Sequence, residues 1–110
     1  MDPARTGEPA FVVLMRVHLT FGSVGSLKGK RAELNRVKAL LRQRMGASVA
    51  EVAHQDAWQR STLAVAVAAG SPRRCDDAAD AIERALYARV GDGVVVERLV
   101  ASWSDLEDVG

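Results

Sequence analysis

Between Phe11 and Phe21 the chain alternates without a break. Phe11, Val13, Met15, Val17, Leu19 and Phe21 fall on one side, and Val12, Leu14, Arg16, His18 and Thr20 on the other. A period of two belongs to a strand, because a helix repeats its apolar stripe every three to four residues. One face of this strand must therefore be buried and the other left to solvent or to a partner, which restricts the fold to a sheet covered on one side.

The remaining segments supply that cover. Gly22-Ser23-Val24-Gly25 ends the strand, and Ser26 is a good N-cap. Leu27, Leu34, Val37, Leu40, Leu41 and Met45 recur at helical spacing before Gly46, which predicts a helix over 27–45 with a glycine C-cap. Ser48–Ala53 reads as a short strand, His54–Gln59 as a polar connection, and Ser61–Ala69 as a strand with Leu63, Val65 and Val67 on its core face. Pro72 opens a second helix, with a stripe of Ala78, Ile82, Leu86 and Val90 and with Asp76, Asp77 and Asp80 in its N-terminal half. Gly91-Asp92-Gly93 is a turn, and Val94–Trp103 is the last strand. Glu97 and Arg98 are adjacent there and must point opposite ways, so a bulge is expected in that strand. Residues 1–9 read as a disordered N-terminal tail, 10–104 as one domain and 105–110 as an acidic C-terminal tail.

The order strand, helix, strand, strand, helix, strand predicts an α+β ferredoxin-like β-α-β-β-α-β sandwich. Right-handed crossovers give a four-stranded antiparallel sheet of order 4-1-3-2 with both helices on one face. An apolar content of 48% suits a packed core, and with aromatics at 5% that core rests on Val, Leu and Ala. Cys75 is the one cysteine, so no internal disulfide forms, and a reducing, cytoplasmic setting is expected. The first residues lack an apolar stretch of the kind a signal peptide carries, and no apolar run approaches the roughly 20 residues a membrane span needs.

This topology brings distant segments together. The start of the first helix, the connection between the second and third strands, and the Gly91–Gly93 turn all fall at one end of the sheet. Ser26–Arg31 and His54–Arg60 should therefore be neighbours. Lys28, Lys30 and Arg31 place three cations in the first turn of a helix, each opposed by the helix dipole by a few tenths to about 1 kcal/mol. A bound anion at that end, held with Ser26, explains the placement; a phosphate of RNA is one such anion and the Asp56 carboxylate another. The alternative is a solvated helix face, or a structural brace in which Asp56 neutralises Lys30 or Arg31. The segment is not a phosphate-binding P-loop, because Val24 and Arg31 stand where that motif needs Gly and Ser or Thr.

His54, Gln55, Asp56, Trp58, Gln59 and Arg60 crowd functional side chains into one connection. An enzyme would use His54 as a base oriented by Asp56, but no nucleophile stands beside them, so no catalytic residue is assigned. A third ligand for a metal is also lacking, and neither metal nor cofactor is expected. A binding protein would use Trp58 to stack on a base or anchor a protein. The open sheet face carries Val12, Leu14, Ala64 and Ala66, small and apolar, which predicts a homodimer through that face. RNA binding on the face itself is disfavoured, since its central strands present no aromatic rings.

Ser26-Leu27-Lys28-Gly29-Lys30-Arg31 and Glu51–Arg60, with Leu63–Val67 behind them, resemble the YlxP-like bacterial family, and the likeness covers roughly 10–104. The resemblance implies a ferredoxin-like domain of unknown function. It also implies a translation-associated setting, since genes of the family lie near those for translation initiation factor two and ribosome-binding factor A. The expectations are thus an RNA- or ribosome-associated accessory factor with an anion-binding end, a small hydrolase using His54 and Asp56, or a protein–protein dimerisation module.

Overall fold

The computed structural model describes residues 7–22 and 25–108. Met1–Thr6 of the expected N-terminal tail, Ser23 and Val24 of the first break, and Val109 and Gly110 of the expected acidic tail lie outside them.

Strand β1 (Phe11–Thr20) leads to helix α1 (Leu27–Ala39), then to strands β2 (Ser48–Ala53) and β3 (Arg60–Ala69), helix α2 (Pro72–Val90) and strand β4 (Val94–Ser102). The sheet order is β2-β3-β1-β4, with every neighbouring pair antiparallel. The ferredoxin-like order expected from the sequence is the one observed.

The alternation in β1 decides what is buried. Val13, Met15, Val17 and Leu19, with Leu63 and Val65 of β3, meet Leu34, Val37 and Leu41 from one helix and Ala79, Ile82 and Leu86 from the other. All are at most 2% exposed. Burying each larger side chain contributes about 1.5–3 kcal/mol, so this layer dominates the fold. Both helices are capped as their sequences suggest: Ser26 Oγ accepts from the Gly29 N–H and Ser71 Oγ from the Arg74 N–H, each at 3.1 Å.

Three details differ from expectation. The first helix does not run as an even α-helix to residue 45, because Leu40–Arg44 widen into π-helical turns. Gly46 then takes φ +66, and the Ala47 N–H reaches back six residues to the Leu41 carbonyl at 3.0 Å. The extra residue in the closing turn is the mark of the wider helix. The bulge expected in β4 is not there: β4 pairs with β1 in unbroken register from Phe11↔Ser102 to Leu19↔Val94. Both faces of this edge strand simply have polar work. Glu97 turns to the open face, and Arg98 turns to α2, where it meets Asp80 at 3.0 Å, Asp76 at 3.6 Å and Glu83. The bulge lies in β2, where Glu51↔Leu63 is followed by Ala53↔Thr62 and Val52 is left over. Finally, Trp103–Glu107 form a short helix α3, held by a capping box between Ser102 and Asp105, where the end of a strand and the start of an acidic tail were expected.

Candidate functional site

The two polar motifs do meet. Lys30 Nζ donates to the backbone carbonyls of His54 at 2.7 Å and Gln55 at 3.2 Å. Its side chain is fully buried. Lys30, Leu34, Val37 and Leu41 follow one another on the inner stripe of the helix, so the lysine stem lies in the core and its ammonium emerges under the β2–β3 connection. Burial lowers the Lys30 pKa from its ordinary value, and the neighbouring Arg31 charge lowers it further. The carboxylates of Glu51 and Asp56 work against that shift.

The loop that Lys30 holds is bent accordingly. His54 takes φ +63, a left-handed conformation that a residue with a side chain adopts at some cost. The Ala57 N–H donates to the His54 carbonyl at 3.2 Å, and the Phe21 N–H donates to the Gln59 carbonyl at 2.8 Å, which ties the loop to the end of β1. The cation, the carbonyls and the turn form one brace.

Arg31 is also engaged inside the molecule. It pairs with Glu51 at 2.5 Å, and Lys38 reaches the same Glu51 oxygen at 3.2 Å. The other Glu51 carboxylate oxygen is buried with no hydrogen-bond partner. Lys30 and Arg31, expected to contact phosphate, are therefore turned to the protein's own carbonyls and carboxylate. Ser26, Lys28, Gln55, Asp56, Trp58, Gln59 and Arg60 are exposed at this end, with Trp58 at 52%. His54 Nε2 lies 3.4 Å from Arg60 Nη2 rather than against Asp56.

A shallow cleft of about 270 Å³ opens beside this end, lined by Thr20, Phe21, Gly29, Glu33, Arg36 and Arg89. Its floor is an ion-pair network: Glu33 accepts from Arg89 at 3.0 Å and from Arg36 at 3.1 Å. Burial pushes the Glu33 carboxyl up, but the hydrogen bonds from Arg89 and Arg36 outweigh it and hold its pKa below the ordinary value.

The opposite surface is the open sheet face. Val95, Leu99 and Leu14 stand out from it at 61%, 66% and 46% exposure. Beside them Val12, Ala64 and Ala66 are half-buried, and Ala50 and Ala68 are exposed. One polar group crosses the face: Arg16 and His18 reach Glu97 at 3.0 and 2.8 Å, and His18 Nδ1 lies 3.3 Å from Thr62 Oγ1. The hydrogen bond from His18, with the Arg16 charge, holds the Glu97 carboxyl below its usual range. Sequence reasoning left His18 isolated, yet the register His18↔Thr62 and Arg16↔Glu97 assembles the group. Hydroxyl, imidazole and carboxylate in a row are the elements of a catalytic triad. Thr62 is only 5% exposed, however, within a sheet strand, where a substrate has little access to its hydroxyl. Among the described residues no group of three or more His, Cys, Asp or Glu side chains is arranged to hold a metal.

A family model described as a protein of unknown function (DUF503) matches residues 12–99, from the open face of β1 to Leu99 of β4. The chain belongs to the DUF503 family. It is similar to the uncharacterized protein YlxP of Bacillus subtilis (strain 168), with 38% identity over 47 residues, which is 43% of this chain and 51% of that protein. The match thus spans about half of the relative. Among solved structures the chain is similar to the de novo designed protein Foldit4, with a TM-score of 0.53 and 13% identity over 84% of this chain and 96% of that one. That likeness concerns the fold alone. No helix among the described residues is long and apolar enough to cross a membrane.

Proposed function

We propose that this DUF503 chain is a binding and assembly protein whose working surface is the open sheet face, and that two copies pair through it. The observation that carries the reading is the group of large apolar side chains, Leu14, Val95 and Leu99, left 46% to 66% exposed on a face that the helices do not cover. Leaving such side chains in water forgoes about 25 cal/mol per Å² of apolar surface, which pairing recovers. Light scattering at high micromolar concentration tests this directly: a dimer mass supports it and a monomer mass refutes it. Ala66→Arg should return the dimer to monomers, because it buries a charge with no partner.

A second reading keeps the other end as a contact for RNA or the ribosome. It rests on Trp58, exposed on a loop that Lys30 holds rigid, with Arg60 and Lys28 as the remaining outward cations. Its phosphate contacts are then few, so any RNA affinity should fall only shallowly with salt, by about one unit of slope per cation removed. Lys28→Ala with Arg60→Ala and Trp58→Ala should abolish RNA or ribosomal cross-linking in cells while leaving the dimer intact. Recovery of neither RNA nor ribosomal protein with the unaltered chain would remove this reading.

A further inference from the structure

The open face is not uniform, and its relief follows the strand order. Leu99 and Leu14 stand in one row across the sheet with Ala66 and Ser48, through the pairs Leu14↔Leu99, Leu14↔Ala66 and Ser48↔Ala66. The next row is Glu97, Arg16, Ala64 and Ala50, through Arg16↔Glu97, Arg16↔Ala64 and Ala50↔Ala64. In both rows the large side chains lie on β4 and β1 and the small ones on β3 and β2. Across these two central rows the face is therefore a ridge alongside a trough, with the boundary between β1 and β3.

We infer that the occupant of the open face is a second copy seated with its ridge in this trough, about a two-fold axis that runs parallel to the strands between β1 and β3. The inference rests on the proposed pairing and specifies its geometry. Rotation about such an axis exchanges the two halves of the face, so Leu14 meets the partner's Ala66 and Leu99 meets the partner's Ser48. An axis across the strands would instead set ridge on ridge, Leu14 on the partner's Leu14, and leave the two troughs empty. Close packing favours the arrangement that fills both. Packed sheets cross at roughly 30°, so the direct pairs are those near the centre, Leu14 with Ala66 and Arg16 with Ala64.

The charge on the face is compatible with being covered. Arg16 and Glu97 neutralise each other within one copy, so a partner's alanines can close over them without stranding a charge. The area also suffices. Strands of ten, six, ten and nine residues, at about 3.3 Å per residue and about 4.8 Å apart, give a face of roughly 550 Å² in plan, and a specific interface needs about 500 Å² or more from each partner.

Complementary charges test the axis. Leu14→Lys and Ala66→Glu both lie on the solvent side of the sheet, and circular dichroism should show each folded. Each alone should be monomeric, with dimer affinity down about 100-fold or more. Mixing the two should restore a heterodimer of twice the monomer mass, because the new cation of one faces the new carboxylate of the other. Leu14→Lys mixed with Leu14→Glu should stay monomeric. A dimer recovered by the second mixture and not the first places ridge on ridge and overturns the inference while leaving the dimer standing. A monomeric unaltered protein overturns the pairing itself.

Discussion

Lys30 offers the sharpest test of what holds the two polar motifs together. In Lys30→Ala the fully buried stem goes, and the carbonyls of His54 and Gln55 lose their cationic donor. About three buried methylenes at ~0.8 kcal/mol each account for roughly 2.4 kcal/mol. Two hydrogen bonds from a charged donor contribute about 1.5–3 kcal/mol each. Removing the ammonium returns several kcal/mol of burial cost, and water reaches the part-buried carbonyls, so the net loss expected is about 2–4 kcal/mol. Lys30→Met keeps most of the packing and sheds the burial cost, and should lose only about 0.5–2 kcal/mol. Lys28→Ala, on the exposed side of the same turn, should stay within about 0.5 kcal/mol of the unaltered protein. Urea unfolding at constant m-value reads all three, and a thermal scan should place Lys30→Ala roughly 8–15 °C lower in Tm. If Lys30→Ala and Lys28→Ala prove equally neutral, the lysine is no brace, and the loop keeps its shape for another reason.

Two further outcomes follow from the same end of the molecule. The Glu33 carboxyl has its pKa lowered from an ordinary 4.5, so its contribution to stability is present above pH 4.5 and is lost as pH falls through the lower folded value. Unfolding free energy measured against pH should therefore drop below pH 4.5 less steeply in Glu33→Gln, and an unchanged slope would contradict the Arg36–Glu33–Arg89 network. At Gly93 an added Cβ would stand 2.2 Å from the Thr20 carbonyl oxygen. Backbone cannot yield as a side chain does, so Gly93→Ala should cost about 1–3 kcal/mol by chemical denaturation, whereas a neutral result would mean that the turn shifts freely.

Much of the fold was legible because it rests on periodicity. The uninterrupted alternation of β1 and the helical stripes at 34–41 and 82–86 admit few other packings. The meeting of Ser26–Arg31 with His54–Arg60 followed from topology. The role of Lys30 did not, because a sequence shows that a charge is present and not where its side chain ends. A signal was available: Lys30 stands at the spacing of Leu34, Val37 and Leu41, on the stripe that faces the core. Glu97 and Arg98 suggested a bulge because a polar pair on a strand looks like an error of register, whereas an edge strand can give each face its own polar partners. The π-helical turns at Leu40–Arg44 and the bulge at Val52 had no local signature, since both adjust the phase of elements set by distant packing. The Arg16–His18–Glu97 group depended on the cross-strand register, which becomes visible only once β1 and β4 are paired.

The leftover residue in β2 has a consequence for how far assembly can go. Edge strands present unpaired amides and carbonyls on which a further chain could build an endless ribbon. Here Val52 interrupts the outer rim of β2, and the opposite rim carries Glu97 and Arg98 at the middle of β4. Lateral growth meets a kink on one side and charge on the other, so crowded solutions of this protein should hold complexes of fixed size and no fibrils.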